Sequence, residues 1–395
     1  MKLFVICAEQ SGENIVKYIL DKIKTDYQIE NDRLEIMGIV SSDTATMFNI
    51  KQIFSPKELA MLGIGDILTK IPSLLDRITD TVNNIMDFQP DLIVSVDTYD
   101  FCIRVAKKVR KLTNNPKNLS HNITMWHIVA PSVWAYWSGR AKTLSKYYDR
   151  LFYLLPFEKK YFKPLERKAT TKNKGFISTF IGYPATFQQK AQSLTKNTHL
   201  IGITIGSRKG EIIRHKDLIF NTILRLTIID SKYRFIILAT KDTASFLKKI
   251  FHDLKNVSVI DDDEEKHKII QQCVLIIAKS GTNNIEIGAL GTPMITYYKT
   301  SMLTYLFAKI FAKVKMINLY NITLGKKVIP ELIQKEANPD NLAQIAYELL
   351  TNEAKRNWQL EQINMAITLM QREDRTYPLN IVAEEIYAVI KPKTL

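Results

Sequence analysis

Disulfide scaffolds, glycine-rich loops and metal sites need residues this 395-residue chain has little of: three cysteines, fourteen glycines and six histidines. Cys7, Cys102 and Cys273 each sit inside an apolar run. That leaves no disulfide or zinc pattern and reads as small core residues in a reducing compartment. The histidines show no ligand spacing, and no apolar run approaches the length of a membrane span. No secretory pattern is present, because Lys2 is followed by an apolar run of residues 3–7 only. Together these absences predict a cytoplasmic protein or one bound to a membrane surface. Acid is also short: Asp and Glu number 40 against 55 Lys and Arg, a formal net charge of +15. Such an excess points to nucleic acid, anionic lipid or phosphorylated ligands, or to a lysine-rich composition with no partner behind it.

What the chain does hold is apolar: 46% of it is hydrophobic, enough for one large or two medium cores. Short apolar runs read as strands at 3–7, 34–40, 92–96, 123–129, 151–155 and 176–181, with helical patterns between them at 14–24, 59–78, 101–111 and 139–148. A polar stretch, 185–197, reads as a linker. The rhythm then restarts, with strands at 200–205, 235–239, 257–260, 273–278 and 294–298 and a helix running to about 229. The acidic run 261–265 reads as a solvated helix start, and 378–392 as an amphipathic helix. Strands alternating with helices in both halves predict an α/β protein of two doubly wound parallel-sheet domains. The boundaries read as 1–185, 186–375 and a C-terminal helix, 376–395, packing back toward the first domain. Such sheets bind ligands at the carboxyl ends of their strands, so a site between two facing domains is expected.

The most informative stretch is 273–291. An apolar strand runs into Lys279-Ser280-Gly281-Thr282, a helical pattern follows, and Gly291 and Pro293 end it. A helix N-terminus at a strand edge suits a phosphate, with Gly281 allowing close approach, Ser280 and Thr282 adding hydroxyls and Glu286 within reach of ribose. The bland alternative is an ordinary capped helix. The turn Gly206-Ser207-Arg208-Lys209-Gly210-Glu211 brings positive charge to another strand end, where a guanidinium grips a diphosphate or simply stays solvated. Asp97 and Asp100 follow the strongest strand of the first half; a carboxylate there suits general-base work on an alcohol, whereas Asp100 also suits a helix cap.

These residues, taken in order, resemble one family. The segments 130–135, Gly139-Arg140 and 154–158 are similar to lipid-A-disaccharide synthases, as are Gly206-Ser207-Arg208 with Glu211, Ser280-Gly281-Thr282 with Glu286, Asn321 with Gly325, and Pro330-Glu331-Leu332. The resemblance spans residues 3 to about 387. It implies a GT-B type, inverting glycosyltransferase that needs no metal or other cofactor. The donor would be UDP-2,3-diacylglucosamine and the acceptor 2,3-diacylglucosamine 1-phosphate, giving a β-1,6-linked disaccharide phosphate and UDP.

By the same resemblance Gly206, Ser207, Arg208, Ser280, Gly281, Thr282, Glu286, Asn321 and Glu331 belong to the UDP-sugar site, with Ser11 and Gly12 beside the first strand. Arg208 is expected to act on the leaving diphosphate. Asp97 is expected as the base or acceptor-orienting group, with Asp100 as its rival. Acylated substrates imply a peripheral position on the inner face of the inner membrane, no nucleic-acid partner, and leave a homodimer open. An amphipathic, acid-free run, 302–314, reads as the docking segment, with the apolar stretch 64–75 as the next candidate. The chain departs from the family pattern at Ala8-Glu9-Gln10-Ser11-Gly12-Glu13, at Ser41-Ser42-Asp43-Thr44, and at Trp137, Tyr183 and Lys326-Lys327. Most of these departures fall in the first domain. Two other readings stand beside this one: another UDP-sugar transferase or epimerase of the same architecture, and a nucleotide- or lipid-binding relative that has lost catalysis.

Overall fold

The computed structural model describes residues 1–27, 34–60, 67–113, 123–170, 175–188, 195–301, 305 and 315–390. The 302–314 run, apart from residue 305, and the 64–66 part of the alternative docking stretch lie outside the described residues.

The chain divides into two compact units, Met1–Pro184 with Arg372–Leu395, and Ala185–Gln371. The first unit holds a seven-stranded parallel sheet of order β3-β2-β1-β4-β5-β6-β7. Its strands are β1 (Lys2–Cys7), β2 (Glu35–Ile39), β3 (Ile50–Gln52), β4 (Leu92–Val96), β5 (Thr124–Ile128), β6 (Arg150–Tyr153) and β7 (Ile177–Phe180). Its helices are α1 (Gln10–Tyr27), α2 (Ser42–Phe48), α3 (Pro56–Ala60), α4 (Ile67–Phe88), α5 (Tyr99–Thr113), α6 (Gly139–Tyr147) and α7 (Lys159–Phe162). β1 and β4 lie side by side with every residue from Leu3 to Cys7 and from Leu92 to Val96 buried. That is why both read as unbroken apolar runs: helices cover both faces of a parallel sheet.

The second unit repeats the plan with a six-stranded parallel sheet, β10-β9-β8-β11-β12-β13. It comprises β8 (Asn197–Thr204), α8 (Lys209–Ile229), β9 (Arg234–Leu238), α9 (Lys241–Ile250), β10 (Val257–Ile260), α10 (Asp263–Gln272), β11 (Cys273–Lys279), α11 (Asn283–Ala289), β12 (Met294–Tyr298), α12 (Leu319–Leu324), β13 (Glu331–Ile333), α13 (Pro339–Thr351) and α14 (Glu353–Met370). In each sheet the strand order reverses beside the first strand, between β1 and β4 and between β8 and β11, the point where doubly wound sheets hold ligands at their carboxyl ends.

After Arg372, whose guanidinium donates to the Phe180 carbonyl at 3.2 Å, the chain re-enters the first unit. There α15 (Pro378–Ile390) lies against α1, with the Tyr18 hydroxyl donating to Asn380 Oδ1 at 2.8 Å and the Tyr18 ring tilted against that of Tyr377, centroids 4.8 Å apart. All three cysteines are buried and free.

The sequence pattern leaves several elements unassigned, namely β3, β13, α2, α3, α7, α9 and α12 to α14. The two strands have only three residues each, too few for a period to show. α2 begins at one of the departures from the family pattern, Ser41-Ser42-Asp43-Thr44: Ser41 caps it, its hydroxyl accepting from Thr44 N–H at 3.3 Å. The buried carboxylate of Glu13 accepts from the Ser41 N–H, tying the turns after β1 and β2 together. The acidic run is a helix start: Asp262 caps α10 by accepting from Glu265 N–H at 2.9 Å.

Candidate functional site

At the β8–β11 reversal of the second unit lies a cavity of about 310 Å³. Thr204, Gly206 and Ser207 line it from the end of β8, Thr240 from the end of β9, Lys266 and His267 from α10, and Lys279, Gly281, Thr282 and Glu286 from the β11–α11 turn. Gly206 has φ of +137°, and a Cβ there would meet Glu211 Oε2 at 2.6 Å and Glu211 Cβ at 2.9 Å. Only glycine fits that turn.

Glu211, in the first turn of α8, accepts from the Ser207 N–H at 3.3 Å and pairs with Lys279 Nζ at 2.8 Å. Burial alone would raise its carboxyl, but the hydrogen bond and charge of Lys279 outweigh this and hold it below the ordinary carboxylate range. The Lys279 N–H donates to Thr204 Oγ1 at 3.1 Å, and Tyr297 Oη donates to the Thr204 carbonyl at 2.9 Å. The end of the central strand is therefore fixed on both sides. Across the cavity Lys266 Nζ is held by the Ala239 carbonyl at 3.0 Å and by Asp263 Oδ1 at 2.5 Å.

The site residues expected from the sequence separate into three groups. Gly206, Ser207, Gly281, Thr282 and Glu286 come together around the cavity. Glu286 does not stand open there: its Oε1 pairs with His267 Nε2. Ser280 and Gly281 direct their N–H groups elsewhere than expected, Ser280 to the Tyr297 carbonyl at 2.9 Å and Gly281 to Asn284 Oδ1 at 2.7 Å. With seven residues, α11 is also a weak dipole beside the 21-residue α8, whose N-terminus opens on the same turn as Gly206 and Ser207.

Arg208 caps that helix in an extended conformation, exposed and outside the cavity lining. Asn321 and Glu331 are turned inward. Asn321 accepts from the Val328 and Ile329 N–H groups at 2.8 and 2.9 Å and donates to the Ile329 carbonyl at 2.8 Å. Glu331 accepts from the Ile317 and Asn318 N–H groups at 3.1 and 2.5 Å. Burial raises its carboxyl against those bonds. Both side chains staple the 317–331 loop.

In the first unit, Asp97 follows β4 directly, with φ of +56°, and is partly buried. Burial raises its carboxyl, opposed by the Thr98 N–H at 2.9 Å. Asp100 lies in the first turn of α5, which begins at Tyr99 rather than after the expected turn. Its carboxylate takes both of its 3.0 Å contacts from Arg140 on α6, whose guanidinium also lies over the rings of Trp137, Tyr99 and Tyr136 at 4.7, 5.2 and 5.7 Å. Of the two carboxylates, Asp97 alone is left at the strand edge without a cationic partner among the described residues. Gly12 is buried at the reversal point, where a Cβ would come 2.8 Å from Cys7 Sγ; Ser11 is exposed beside it.

The segments 130–135 and 154–158 also meet. Trp134 packs edge-on against Phe157 at 5.4 Å, and the buried Glu158 accepts from the Leu155 N–H at 3.1 Å. Burial raises the Glu158 carboxyl to about 8.

Sequence reasoning passed over Lys279, Lys266, His267 and Thr240. Lys279 was legible as the polar end of the most apolar strand. The α10 residues were hidden in a run that reads only as solvated charge.

A model of the lipid-A-disaccharide synthetase family matches residues 3–384. Proteins named lipid-A-disaccharide synthase from Rickettsia prowazekii (strain Madrid E) and Rickettsia typhi (strain ATCC VR-144 / Wilmington) are each 32% identical, with 98% of both chains covered. Among solved structures, the fold is similar to a Staphylococcus aureus MnaA–UDP co-structure, with TM-score 0.62, 13% identity and 98% and 96% of the two chains covered. It is also similar to a UDP-GlcNAc 2-epimerase from Neisseria meningitidis bound to UDP-GlcNAc, with TM-score 0.60, 12% identity and 98% and 100% coverage. At those identities the likeness is one of fold, the two-domain GT-B architecture. With the family model covering nearly the whole length, the chain belongs to the lipid-A-disaccharide synthetase family.

Proposed function

We propose that the protein transfers 2,3-diacylglucosamine from its UDP donor to the 6-hydroxyl of 2,3-diacylglucosamine 1-phosphate, releasing UDP and a β-1,6-linked disaccharide phosphate. Family membership makes it a glycosyltransferase of lipid A biosynthesis. The observation that carries the donor site is the cavity at the β8–β11 reversal, where Lys279 and Lys266 face Gly206, Ser207 and Thr282. In this reading the α8 N-terminus and Lys279 take the diphosphate, Arg208 swings in from the same turn as charge builds on the leaving group, and Glu286 turns from His267 to the ribose. Asp97 accepts the proton from the acceptor hydroxyl as it attacks the anomeric carbon, a role that suits a carboxyl raised by burial. The acylated substrates place the enzyme on the inner face of the inner membrane as a peripheral protein. Among the described residues no helix is long and apolar enough to cross a membrane.

The test is incubation of the purified protein with both diacylglucosamine substrates and mass spectrometry of the products. Disaccharide 1-phosphate with stoichiometric UDP is expected. UDP binding without any disaccharide would leave only the nucleotide-binding half of the reading.

A further inference from the structure

Helices α5 and α6 pack side by side in the first unit. α5 buries Phe101, Cys102, Val105, Ala106 and Val109, so its outer face carries Arg104, Lys107, Lys108 and Lys111, all exposed. α6 buries Ala141, Leu144 and Ser145 and exposes Lys142 and Lys146. Lys107 and Lys146 approach the ring of Tyr147 between the helices at 5.7 and 5.5 Å, which joins the two rows into one field. No Asp or Glu occurs in the sequence from Phe101 to Tyr148. Among the described residues none of these six cations is in an ion pair with a carboxylate. The neighbouring α4 contributes Asp76 and Asp80; Asp80 pairs with Arg77, and Lys108 meets α4 through the Thr79 hydroxyl at 3.1 Å. At the α6 start of the field stand Tyr136 and Trp137, 39% and 47% exposed and edge-to-face at 5.3 Å.

We propose that this α5–α6 face, with the Tyr136–Trp137 tip, is the surface by which the protein docks on an anionic lipid bilayer. The proposal rests on the acylated-substrate reading and names the surface that reading needs. Two helix faces of unpaired cations match a surface of negative headgroups, and long Lys stems lay their charge onto it while the helices stay folded. The tip separates this partner from a nucleic acid. A base-stacking platform needs an open ring face, but the Arg140 guanidinium lies over Trp137 at 4.7 Å. The two half-exposed rings instead suit the headgroup level, where amphipathic aromatics settle.

The experiment uses the full chain and co-sedimentation with vesicles of phosphatidylglycerol and phosphatidylcholine, against vesicles of phosphatidylcholine alone. Binding to the anionic vesicles, falling with salt, is expected. The variant K107Q/K108Q/K111Q/K146Q should partition roughly six-hundredfold less, at roughly fivefold per charge. A control variant, K248Q/K249Q on α9, should bind as wild type. Turnover of substrates dispersed in neutral detergent should be unchanged in the quadruple variant, which keeps failure of docking distinct from failure of the transferase reading. Unchanged vesicle binding by the folded quadruple variant overturns the proposal. So does equal binding to uncharged vesicles, and so does RNA that displaces the protein from anionic vesicles while binding through the same lysines.

Discussion

Lys279 Nζ lies 2.8 Å from Glu211 Oε1, so the last residue of β11 is pinned to the first turn of α8 across the point where the second sheet reverses its order. One ion pair thus holds together the two turns that line the cavity. Its lysine lines the cavity wall, as Lys266 does on the opposite side, whereas Arg208 is exposed beyond it.

Two substitutions separate those cations. Lys279→Met leaves Glu211 half-buried without its partner, so it should weaken UDP binding measured by calorimetry about tenfold or more and also lower stability. Arg208→Ala should leave the melting temperature and UDP affinity close to wild type. It should cut turnover roughly a hundredfold, the cost of losing a charge partner made in the transition state. Near-wild-type turnover of Arg208→Ala would remove Arg208 from the reaction.

Gly206→Ala forces a Cβ to within 2.6 Å of Glu211 Oε2 at a φ of +137°. The turn must shift, which should cost about 1–3 kcal/mol in stability and abolish tight UDP binding, read by denaturant titration and calorimetry. Gly210→Ala is the control on the same turn, because a Cβ there meets nothing within 4 Å.

Asp97→Asn should preserve UDP binding and remove transfer. Asp100→Asn weakens the contact with Arg140 on an exposed carboxylate and should change turnover by less than about threefold, as exposed pairs contribute little. Steady-state kinetics of the two variants decide between them, and an active Asp97→Asn with a dead Asp100→Asn would reverse the assignment.

Glu158 predicts a pH dependence of stability. Burial lifts its carboxyl to about 8 against an ordinary value of 4.5, despite the N–H groups of Leu155 and Leu154 and the Trp134 side chain. The folded protein therefore binds this proton more tightly than the unfolded chain. Its contribution is fully present below about 4.5 and is lost as pH rises toward about 8, at up to roughly 1.4 kcal/mol per pH unit. Urea unfolding at pH 5.5 and 8.5 should show a smaller pH difference in Glu158→Gln than in wild type. An equal difference in both would mean that Glu158 stays charged in the fold.

The sequence by itself determined the architecture. Runs such as 92–96 and 294–298 coincide with β4 and β12 because a parallel strand buried on both faces must be apolar throughout, and that pattern is local. It also located the turns at Gly206 and Gly281, since a backbone entering a tight turn at a strand end leaves glycine behind. Which polar groups at those turns remain available was decided only in three dimensions. Asn321, Glu331 and Asp100 look alike in sequence to Asp97, yet the first two spend their hydrogen bonds inside the 317–331 loop and Asp100 meets Arg140 forty residues away. The Lys279–Glu211 and His267–Glu286 pairs likewise join residues 68 and 19 positions apart, and the three-residue strands β3 and β13 exist only because a neighbouring strand offers them hydrogen bonds. Pairing of that kind depends on distance in space, which residue order does not encode until the sheets have formed.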